Sequence, residues 1–177
     1  MRKQTKLVAV LSTAALLAIG ASMTSFAATG WAEEDGTWVY YNRDGERATD
    51  QWKKSGNNWY WLNSDGEMAI DQLIEDGDNY YYVDINGVMA ANQWVAIDNE
   101  DAGQDNEPDH YWYYFQANGK ALKNGDNAKV ALKTINGKKY AFDDEGKMLY
   151  GWVSEDNAER VDDTDGDGFK EGTYYFG

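Results

Sequence analysis

Residues 51–68 read QWKKSGNNWYWLNSDGEM, and this stretch holds the complete motif that recurs along the chain. The leading Trp52 is followed seven residues later by the aromatic triplet Trp59-Tyr60-Trp61, and Gly66 follows Trp59 by another seven. The leading residues of successive units lie 21 residues apart, and they are Trp31, Trp52, Leu73 and Trp94. A fixed period of this length indicates a chain built from structural repeats.

Each repeat carries the signals of one β-hairpin. The triplets are rich in residues that favour extended strands, and they are Trp38-Val39-Tyr40, Trp59-Tyr60-Trp61, Tyr80-Tyr81-Tyr82 and Trp112-Tyr113-Tyr114. After each triplet comes a pair suited to the positive φ of a tight turn, and these pairs are Asp44-Gly45, Asp65-Gly66, Asn86-Gly87 and Asn118-Gly119. We therefore predict hairpins in which each triplet pairs with the strand that returns after its glycine.

A single hairpin of this size buries too little apolar surface to stay folded in water. Stacking of successive hairpins is therefore required, with each repeat in contact with its neighbours. The apolar residues of the returning strands that we expect to cover the neighbouring unit are Met68, Met89, Leu122 and Met148. The predicted fold class is an all-β solenoid of stacked short hairpins with a period of about 21 residues, preceded by a signal-peptide helix.

The later repeats depart from this period. Trp94 and Trp112 are 18 residues apart instead of seven, which leaves an 11-residue insertion at about 98–109. The insertion is almost wholly polar and contains the chain's only proline, Pro108, so it predicts a solvated loop. A fifth unit spans 133–148, and a sixth begins at Gly151-Trp152 and stops at Gly177, before its expected turn. The sequence thus predicts about five repeats and a truncated sixth.

The N-terminus has the pattern of an export signal. Arg2, Lys3 and Lys6 precede an apolar run that begins at Leu7 and is followed by small residues. We predict a signal peptide at 1–27, cleaved after Ala27, and a repeat array at 28–177. The alternatives are cleavage after Ala28 and an uncleaved N-terminal anchor. After cleavage no membrane span is expected, because the apolar run is shorter than about 20 residues.

Composition narrows the class of protein further. Aromatic residues make up 15% of the chain, with 8 Trp and 13 Tyr but only 5 Phe, which favours shallow cores and aromatic faces near solvent. The chain has no cysteine, so it is stabilised without disulfides. Residues 28–177 hold 13 Lys and Arg against 31 Asp and Glu, a net charge of −18. Such a field repels nucleic acid and anionic lipid, and it attracts cations. The alternative is that the charge serves only to keep the protein in solution.

Several linked positions resemble a known family. Gly30-Trp31, Trp38-Val39-Tyr40 and Gly45, then Gln51-Trp52, Trp59-Tyr60-Trp61, Gly66 and Met68, are similar to the choline-binding or cell-wall-binding repeats of Gram-positive surface proteins. The glucan-binding repeats of glucansucrases and the repeats of clostridial toxins look like relatives of the same design. The resemblance implies a secreted protein of the cell wall or cell surface, with choline held between adjacent hairpins by about three aromatic rings.

The resemblance also places the ligand-binding residues. Carried over position by position, they are Trp31, Trp38, Tyr40, Trp52, Trp59, Trp61, Tyr82, Trp94, Trp112, Tyr114 and Trp152. A quaternary ammonium donates no hydrogen bond, so aromatic faces are the groups that recognise it. The alternative is that these rings only pack one hairpin on the next. Leu73, Tyr80 and Lys139 depart from the pattern and place the junctions around the third and fifth units in doubt.

Catalytic and metal-binding signals are weak. His110 is the only histidine, and Ser55, Ser64 and Ser154 fall in or near predicted turns, so we expect no enzyme activity and no organic cofactor. Residues 163–168 have the alternating oxygens of a calcium loop, with Asp163, Asp165, Asp167 and Glu171 as candidate ligands. Tyr174 replaces the last glutamate of a complete loop, so the alternative is a soluble Asp-Gly turn.

Three functions follow from these observations. The first is attachment to choline-bearing or other cell-wall polymers, and the second is binding of a glucan through sugar rings stacked on the same aromatics. The third is a structural role, including self-association through the truncated C-terminal repeat.

Overall fold

The computed structural model describes residues 29–104, 107–126, 129–161 and 172–177, and every regular element in these ranges is a β-strand. The strands are β1 (Gly30–Glu34), β2 (Thr37–Tyr41), β3 (Gln51–Ser55), β4 (Asn58–Leu62), β5 (Gln72–Asp76), β6 (Asn79–Val83), β7 (Gln93–Asp98), β8 (His110–Phe115), β9 (Lys133–Ile135), β10 (Lys138–Tyr140), β11 (Gly151–Ser154) and β12 (Thr173–Phe176). Each strand pairs with its sequence neighbour in one of six two-stranded sheets. The predicted all-β class is confirmed, while the signal-peptide segment 1–27 lies outside the described residues.

The hairpins differ from the predicted pairing. Each leading strand pairs with its own triplet strand, so Trp31 lies opposite Tyr40, and Glu34 lies opposite Thr37. Asp35 and Gly36 form the connecting turn with φ values of 50° and 84°, as in a type I′ turn. In the second hairpin Gly56 has a φ of 58° at the first turn position, as in type II′. The prediction that triplets pair with the returning strands in a hairpin was therefore wrong.

The returning segment forms a tight turn and an isolated bridge to its own repeat, such as Arg47 with Tyr41 and Met68 with Leu62. In the first repeat Gly45 has a φ of 83°, and its N–H donates to the carbonyl of Asn42 at 3.0 Å. The side-chain Oδ1 of Asn63 accepts the N–H groups of Asp65 and Glu67 at the same turn of the second repeat. An Asn or Asp at this position therefore fixes the turn from within, which is typical of Asx turns.

The returning segment also links each repeat to the one before it. Its backbone N–H donates to the carbonyl of the first triplet residue of the preceding repeat. These bonds run from Met68 to Trp38 (2.8 Å), Met89 to Trp59 (2.9 Å), Ala121 to Tyr80 (2.8 Å) and Met148 to Trp112 (2.7 Å). In the fourth repeat the donor is Ala121, one residue before the predicted Leu122, whose N–H donates to Tyr114 of its own repeat.

The turn glycine approaches the preceding repeat closely. A Cβ on Gly87 would lie 2.9 Å from Met68 Cε and 3.0 Å from the carbonyl oxygen of Ala69. A Cβ on Gly66 would lie 3.1 Å from Arg47 Cβ in the same way. Glycine is thus required here for contact between repeats as well as for the turn.

The core is shallow, as the composition predicts. The largest fully buried side chains are Val39, Leu62, Val83, Phe115, Phe142 and Val153, and the small Ala48, Ala69 and Ala90 of the returning segments are buried with them. Each repeat therefore contributes few large apolar side chains to the interior.

The chain divides into two compact units. The first comprises the described residues up to Gln72 together with Val83–Met89, and the second comprises Leu73–Tyr82 together with Ala90–Gly177. In the second unit the insertion connects β7 to β8 as a loop, and the N–H of Asn99 donates to the carbonyl of Asp109 at its base. No helix long and apolar enough to cross a membrane occurs in the part of the chain that the structure describes.

Replacing the turn glycine tests the contact between repeats. We expect Gly87→Ala to destabilise the fold more than Gly56→Ala, by about 1–3 kcal/mol, because only the first variant forces a methyl group into a neighbouring repeat. Both glycines have a positive φ, but a Cβ on Gly56 would meet no atom within 4 Å. Urea unfolding of both variants measures the difference. Equal losses would show that the turn conformation alone requires glycine.

Candidate functional site

The alternation of side chains along each strand creates two different faces. Trp59 and Trp61 lie on one face of β4, and Tyr60 lies on the other. The register places Trp52 opposite Trp61 and Lys53 opposite Tyr60. The leading residue therefore shares a face with the first and third triplet positions, whereas the second triplet position faces the other way. An aromatic site between stacked hairpins must therefore combine two faces. One repeat contributes the face that carries its leading residue, and the next repeat contributes the face that carries its second triplet residue.

The first unit contains such a site, which we call the Trp31 cluster: Trp31, Tyr40 and Tyr60. The Trp31 ring centroid lies 5.4 Å from that of Tyr40 and 5.4 Å from that of Tyr60, with interplanar angles of 82° and 73°. All three residues are half-buried. The two tyrosines come from successive repeats and stand as inclined walls beside the indole.

Burial of the Trp31 indole carries a free-energy cost. Its Nε1 is buried and has no hydrogen-bond acceptor among the described residues. An unsatisfied buried donor costs about 1–3 kcal/mol. Leu73, the leading residue of the third repeat, carries no polar atom on its side chain and avoids this cost. Packing alone therefore gives no reason for an indole at the leading position.

A lysine of the chain points its charge into the Trp31 cluster. Lys53 Nζ lies 4.6 Å from the centroid of the Tyr40 ring, within the range of a cation–π interaction. The same ammonium donates a hydrogen bond to Asn42 Oδ1 at 2.8 Å. The Lys53 ammonium therefore lies over one ring of the cluster, that of Tyr40.

The second unit repeats the arrangement in the Trp94 cluster: Trp94, Tyr114 and Tyr140. The Trp94 centroid lies 5.2 Å from Tyr114 and 4.8 Å from Tyr140, at interplanar angles of 64° and 60°. The buried Phe142 stacks on Trp94 at 5.9 Å and an angle of 25°, which supports the indole. The three cluster rings are half-buried, so they are neither enclosed in a core nor fully exposed.

The remaining predicted residues fall into three groups. Trp52 with Trp61, and Trp152 with Tyr175, form pairs within one hairpin at centroid distances of 5.2 Å and 5.1 Å. Trp59 and Trp112 are exposed at 40% and 41%, while Trp38 is half-buried. Tyr82 packs at 6.1 Å from Phe115 in a buried cluster with Ala90, Tyr113 and Ala121, against which Leu73 also packs. The junction between the third and fourth repeats is therefore filled by core residues.

Tyr60 and Tyr140 are members of the two clusters that the sequence-based list of ligand-binding residues lacks. Both occupy the second triplet position. A period of two along the strand places this position on the face opposite Trp52 and Trp61, so it meets the preceding hairpin. That signal is present in the sequence and identifies the second-position tyrosine as the partner of the previous leading Trp.

A cavity of about 400 Å³ lies in the second unit, lined by residues that include Glu107, Tyr111, Asp143, Lys147 and Arg160. Its charges are largely paired with neighbouring groups. The Tyr111 hydroxyl donates to Glu107 Oε2 at 2.5 Å, and Lys147 Nζ lies 4.6 Å from the Tyr111 centroid. Together with desolvation, this hydrogen bond to Glu107 raises the pKa of Tyr111 to about 12. Glu107 and Lys147 are therefore both engaged by Tyr111 at the base of the insertion.

Within the part of the chain that the structure describes, no group of three or more His, Asp or Glu side chains is placed to hold a metal ion. The candidate calcium ligands Asp163, Asp165, Asp167 and Glu171 lie outside that part of the chain. The His110 ring lies in a T-shaped arrangement with the Trp112 ring, at a centroid distance of 5.4 Å. This ring contact gives His110 a role in packing against Trp112.

Two family models match the chain. The model described as choline-binding repeat matches residues 48–94, and the model described as putative cell wall binding repeat matches residues 111–121. The first match contains the Trp52 hairpin and Lys53, and the second contains the triplet Trp112-Tyr113-Tyr114. No sequence among curated proteins matches.

Several solved structures contain chains that are similar to this one. The choline binding domain of Spr1274 in Streptococcus pneumoniae is 33% identical, and the alignment covers 54% of this chain and 95% of that one, with a TM-score of 0.40. CbpJ from Streptococcus pneumoniae TIGR4 is 26% identical over 84% of this chain and 40% of its own length, with a TM-score of 0.52. Truncated alternansucrase from Leuconostoc mesenteroides NRRL B-1355 is 22% identical over 68% and 10%, with a TM-score of 0.50, and shares the fold.

Because of Asp143, we expect the stability of the second unit to depend on pH. Burial raises the pKa of its carboxyl to about 6, although its Oδ1 accepts the N–H groups of Glu145 and Lys147. Because the pKa is raised in the folded state, protonation of the Asp143 carboxyl stabilises the fold. This contribution to the free energy of unfolding is fully present below about pH 4 and is lost as the pH rises through 6. We expect Asp143→Asn to raise the melting temperature at pH 7 and to flatten its change between pH 5 and 7.

The matched control for this variant is Asp84→Asn in the third repeat. The Asp84 Oδ1 accepts two backbone N–H groups at the same turn position. Subtracting the change in melting temperature of Asp84→Asn from that of Asp143→Asn removes the general effect of losing one negative charge. An equal effect of both variants at every pH would refute the role of burial at Asp143.

Proposed function

Because this chain belongs to the family of choline-binding, cell-wall-binding repeats, we propose that it is a non-catalytic module that anchors a secreted protein to the envelope of a Gram-positive bacterium by binding choline. The observation that carries the proposal is the Trp94 cluster. Its three half-buried rings come from two adjacent repeats, and two of them stand at about 60° to the third.

Inclined rings suit a quaternary ammonium. Such a cation has no N–H group, so hydrogen-bond acceptors cannot recognise it, whereas the electron-rich face of each ring attracts it. Each face contributes about 0.5–2 kcal/mol, depending on how far the site excludes water. Phe142 holds Trp94 in place before the ligand arrives, which reduces the entropy lost on binding.

The charge of the chain supports the same ligand. A net charge of −18 for residues 28–177 creates a field that attracts cations to the surface. A polymer that carries many choline groups binds through several weak sites at once, so modest individual affinities give firm attachment. The predicted signal peptide at 1–27 provides the route to the cell surface that such a role needs.

A non-catalytic role agrees with the inventory of side chains. The described residues consist of hairpin repeats and their connecting segments. The single histidine lies in a T-shaped contact with Trp112. At the 400 Å³ cavity Glu107 accepts a hydrogen bond from Tyr111, Lys147 pairs with Glu145, and Arg160 donates to the Tyr150 hydroxyl. The charged groups of the cavity thus have structural roles.

The Trp94 cluster can be tested with a choline matrix. We expect the chain to be retained and to be released by free choline rather than by salt alone. Tyr140→Leu should weaken choline binding at this cluster by about 2- to 30-fold, because a leucine keeps apolar packing but has no ring face. Isothermal titration with choline chloride measures the change. Trp112→Ala is the control, since Trp112 is 41% exposed and lies outside both clusters.

Release of the wild-type chain by salt alone would show that its net charge explains retention. Equal effects of Tyr140→Leu and Trp112→Ala would likewise contradict the assignment of the site.

Glucan binding is the second candidate function, and the exposed indoles favour it. Trp59 and Trp112 are exposed at 40% and 41% and offer faces on which a sugar ring can stack. We expect Trp59→Ala to weaken co-sedimentation with an insoluble glucan if this function operates, while leaving choline affinity unchanged. Wild-type chain that stays in the supernatant would exclude it.

A further inference from the structure

The two three-ring clusters differ in the contacts that a neighbouring lysine makes. In both clusters a lysine lies directly across the strand pair from the second-position tyrosine: Lys53 opposite Tyr60 and Lys133 opposite Tyr140. In the filled junction of the third and fourth repeats, the residue opposite Tyr113 is Val95. A cationic side chain thus accompanies each complete cluster.

Lys53 is docked in its cluster. Its ammonium lies 4.6 Å from the Tyr40 centroid and donates to Asn42 Oδ1 at 2.8 Å. Asn42 is itself fixed, because its carbonyl accepts the N–H of Gly45 and its N–H donates to the carbonyl of Glu46. The lysine therefore has both a ring face and an anchored acceptor.

Lys133 lacks that anchor. Gln116 stands where Asn42 stands in the first repeat, and its side-chain amide donates to the carbonyl of Lys120 at 3.3 Å. Among the described residues no ring lies under the Lys133 ammonium. The Trp94 cluster is thus free of the internal cation that the Trp31 cluster contains.

From these contacts we infer that Lys53 is a built-in competitor for the Trp31 cluster, so that the two clusters bind quaternary ammonium with different affinities. This inference rests on the proposed function. An ammonium and a quaternary ammonium are attracted by the same ring faces. Because Lys53 is tethered beside the rings, its effective concentration is in the millimolar range or above. A ligand must displace it, whereas the Trp94 cluster requires no displacement.

The consequence is a graded response to ligand. At low choline concentration the Trp94 cluster is occupied first. The Trp31 cluster follows only where choline groups are dense, as on a polymer that carries many of them. Lys53 is therefore a residue that sets affinity without contributing a wall to the site.

The experiment is a choline chloride titration of the whole chain labelled with 5-fluorotryptophan, followed by ¹⁹F NMR. Trp31→Phe and Trp94→Phe assign the two resonances. In the wild-type chain we expect the Trp94 resonance to shift at lower choline than the Trp31 resonance. Lys53→Met should lower the midpoint at Trp31 by about 2- to 30-fold, the loss of one cation–π contact. Lys53→Gln provides a second variant that keeps a polar side chain.

Two matched controls complete the design. Lys54→Met removes a charge from the neighbouring residue on the opposite face, where Lys54 Nζ lies 5.8 Å from the Trp59 centroid. Lys133→Met removes the undocked lysine of the other cluster. Both should leave the midpoint at Trp31 unchanged.

Three results would overturn the inference. If Lys53→Met and Lys53→Gln leave the Trp31 midpoint unchanged or raise it while Trp94 still titrates, Lys53 is no competitor and the proposed function stands. If Lys54→Met has the same effect as Lys53→Met, general charge is the cause. If neither resonance shifts in any variant, the proposed function fails and the inference fails with it.

Discussion

The structure depends on one hydrogen bond, which runs from the returning segment of each repeat to the first triplet carbonyl of the repeat before it. It recurs at Trp38, Trp59, Tyr80 and Trp112 with N···O distances of 2.7–2.9 Å. A lone hairpin cannot offset the entropy lost on folding, so this link and the small core beneath it make the fold possible. The same bond fixes the spacing between repeats, and that spacing brings a tyrosine of one repeat against the leading Trp of the previous one.

The same junction can be a site or a core, depending on a few side chains. With Trp at the leading position and Tyr at the third and second triplet positions, the rings incline against each other and stay half-buried. With Leu73 at the leading position and Phe115 after the triplet, the space is filled by buried residues. Burial also raises the pKa of the Tyr113 phenol there to about 12, as expected of a ring committed to the interior. Half-buried aromatic clusters and filled junctions therefore alternate along a scaffold of similar hairpins.

Much of the fold could be predicted from the sequence, because a 21-residue period of aromatics and glycines indicates hairpins and their number. The pairing of strands within each hairpin could not be predicted. Asp35-Gly36 and Asp44-Gly45 both tolerate a positive φ, so either pair could form the hairpin turn. The sequence also pointed to Trp31, Tyr40, Trp94 and Tyr114, which do lie in three-ring clusters. It missed Tyr60 and Tyr140, because their membership depends on which face meets the previous repeat. Lys53 could be recognised only once the distance from its ammonium to the Tyr40 ring was known.

The loop between β7 and β8 shows where this architecture accepts new material. It lengthens a hairpin tip by 11 residues, yet Trp94 still lies opposite Tyr114, and the link from Met148 to Trp112 is intact. Hairpin tips are remote from the bonds that join repeats, and lengthening a surface loop carries only a small entropic penalty. Foreign peptides grafted at such a tip would leave the hydrogen bonds between repeats and the aromatic clusters in place, so the hairpin tips are suited to carrying added segments.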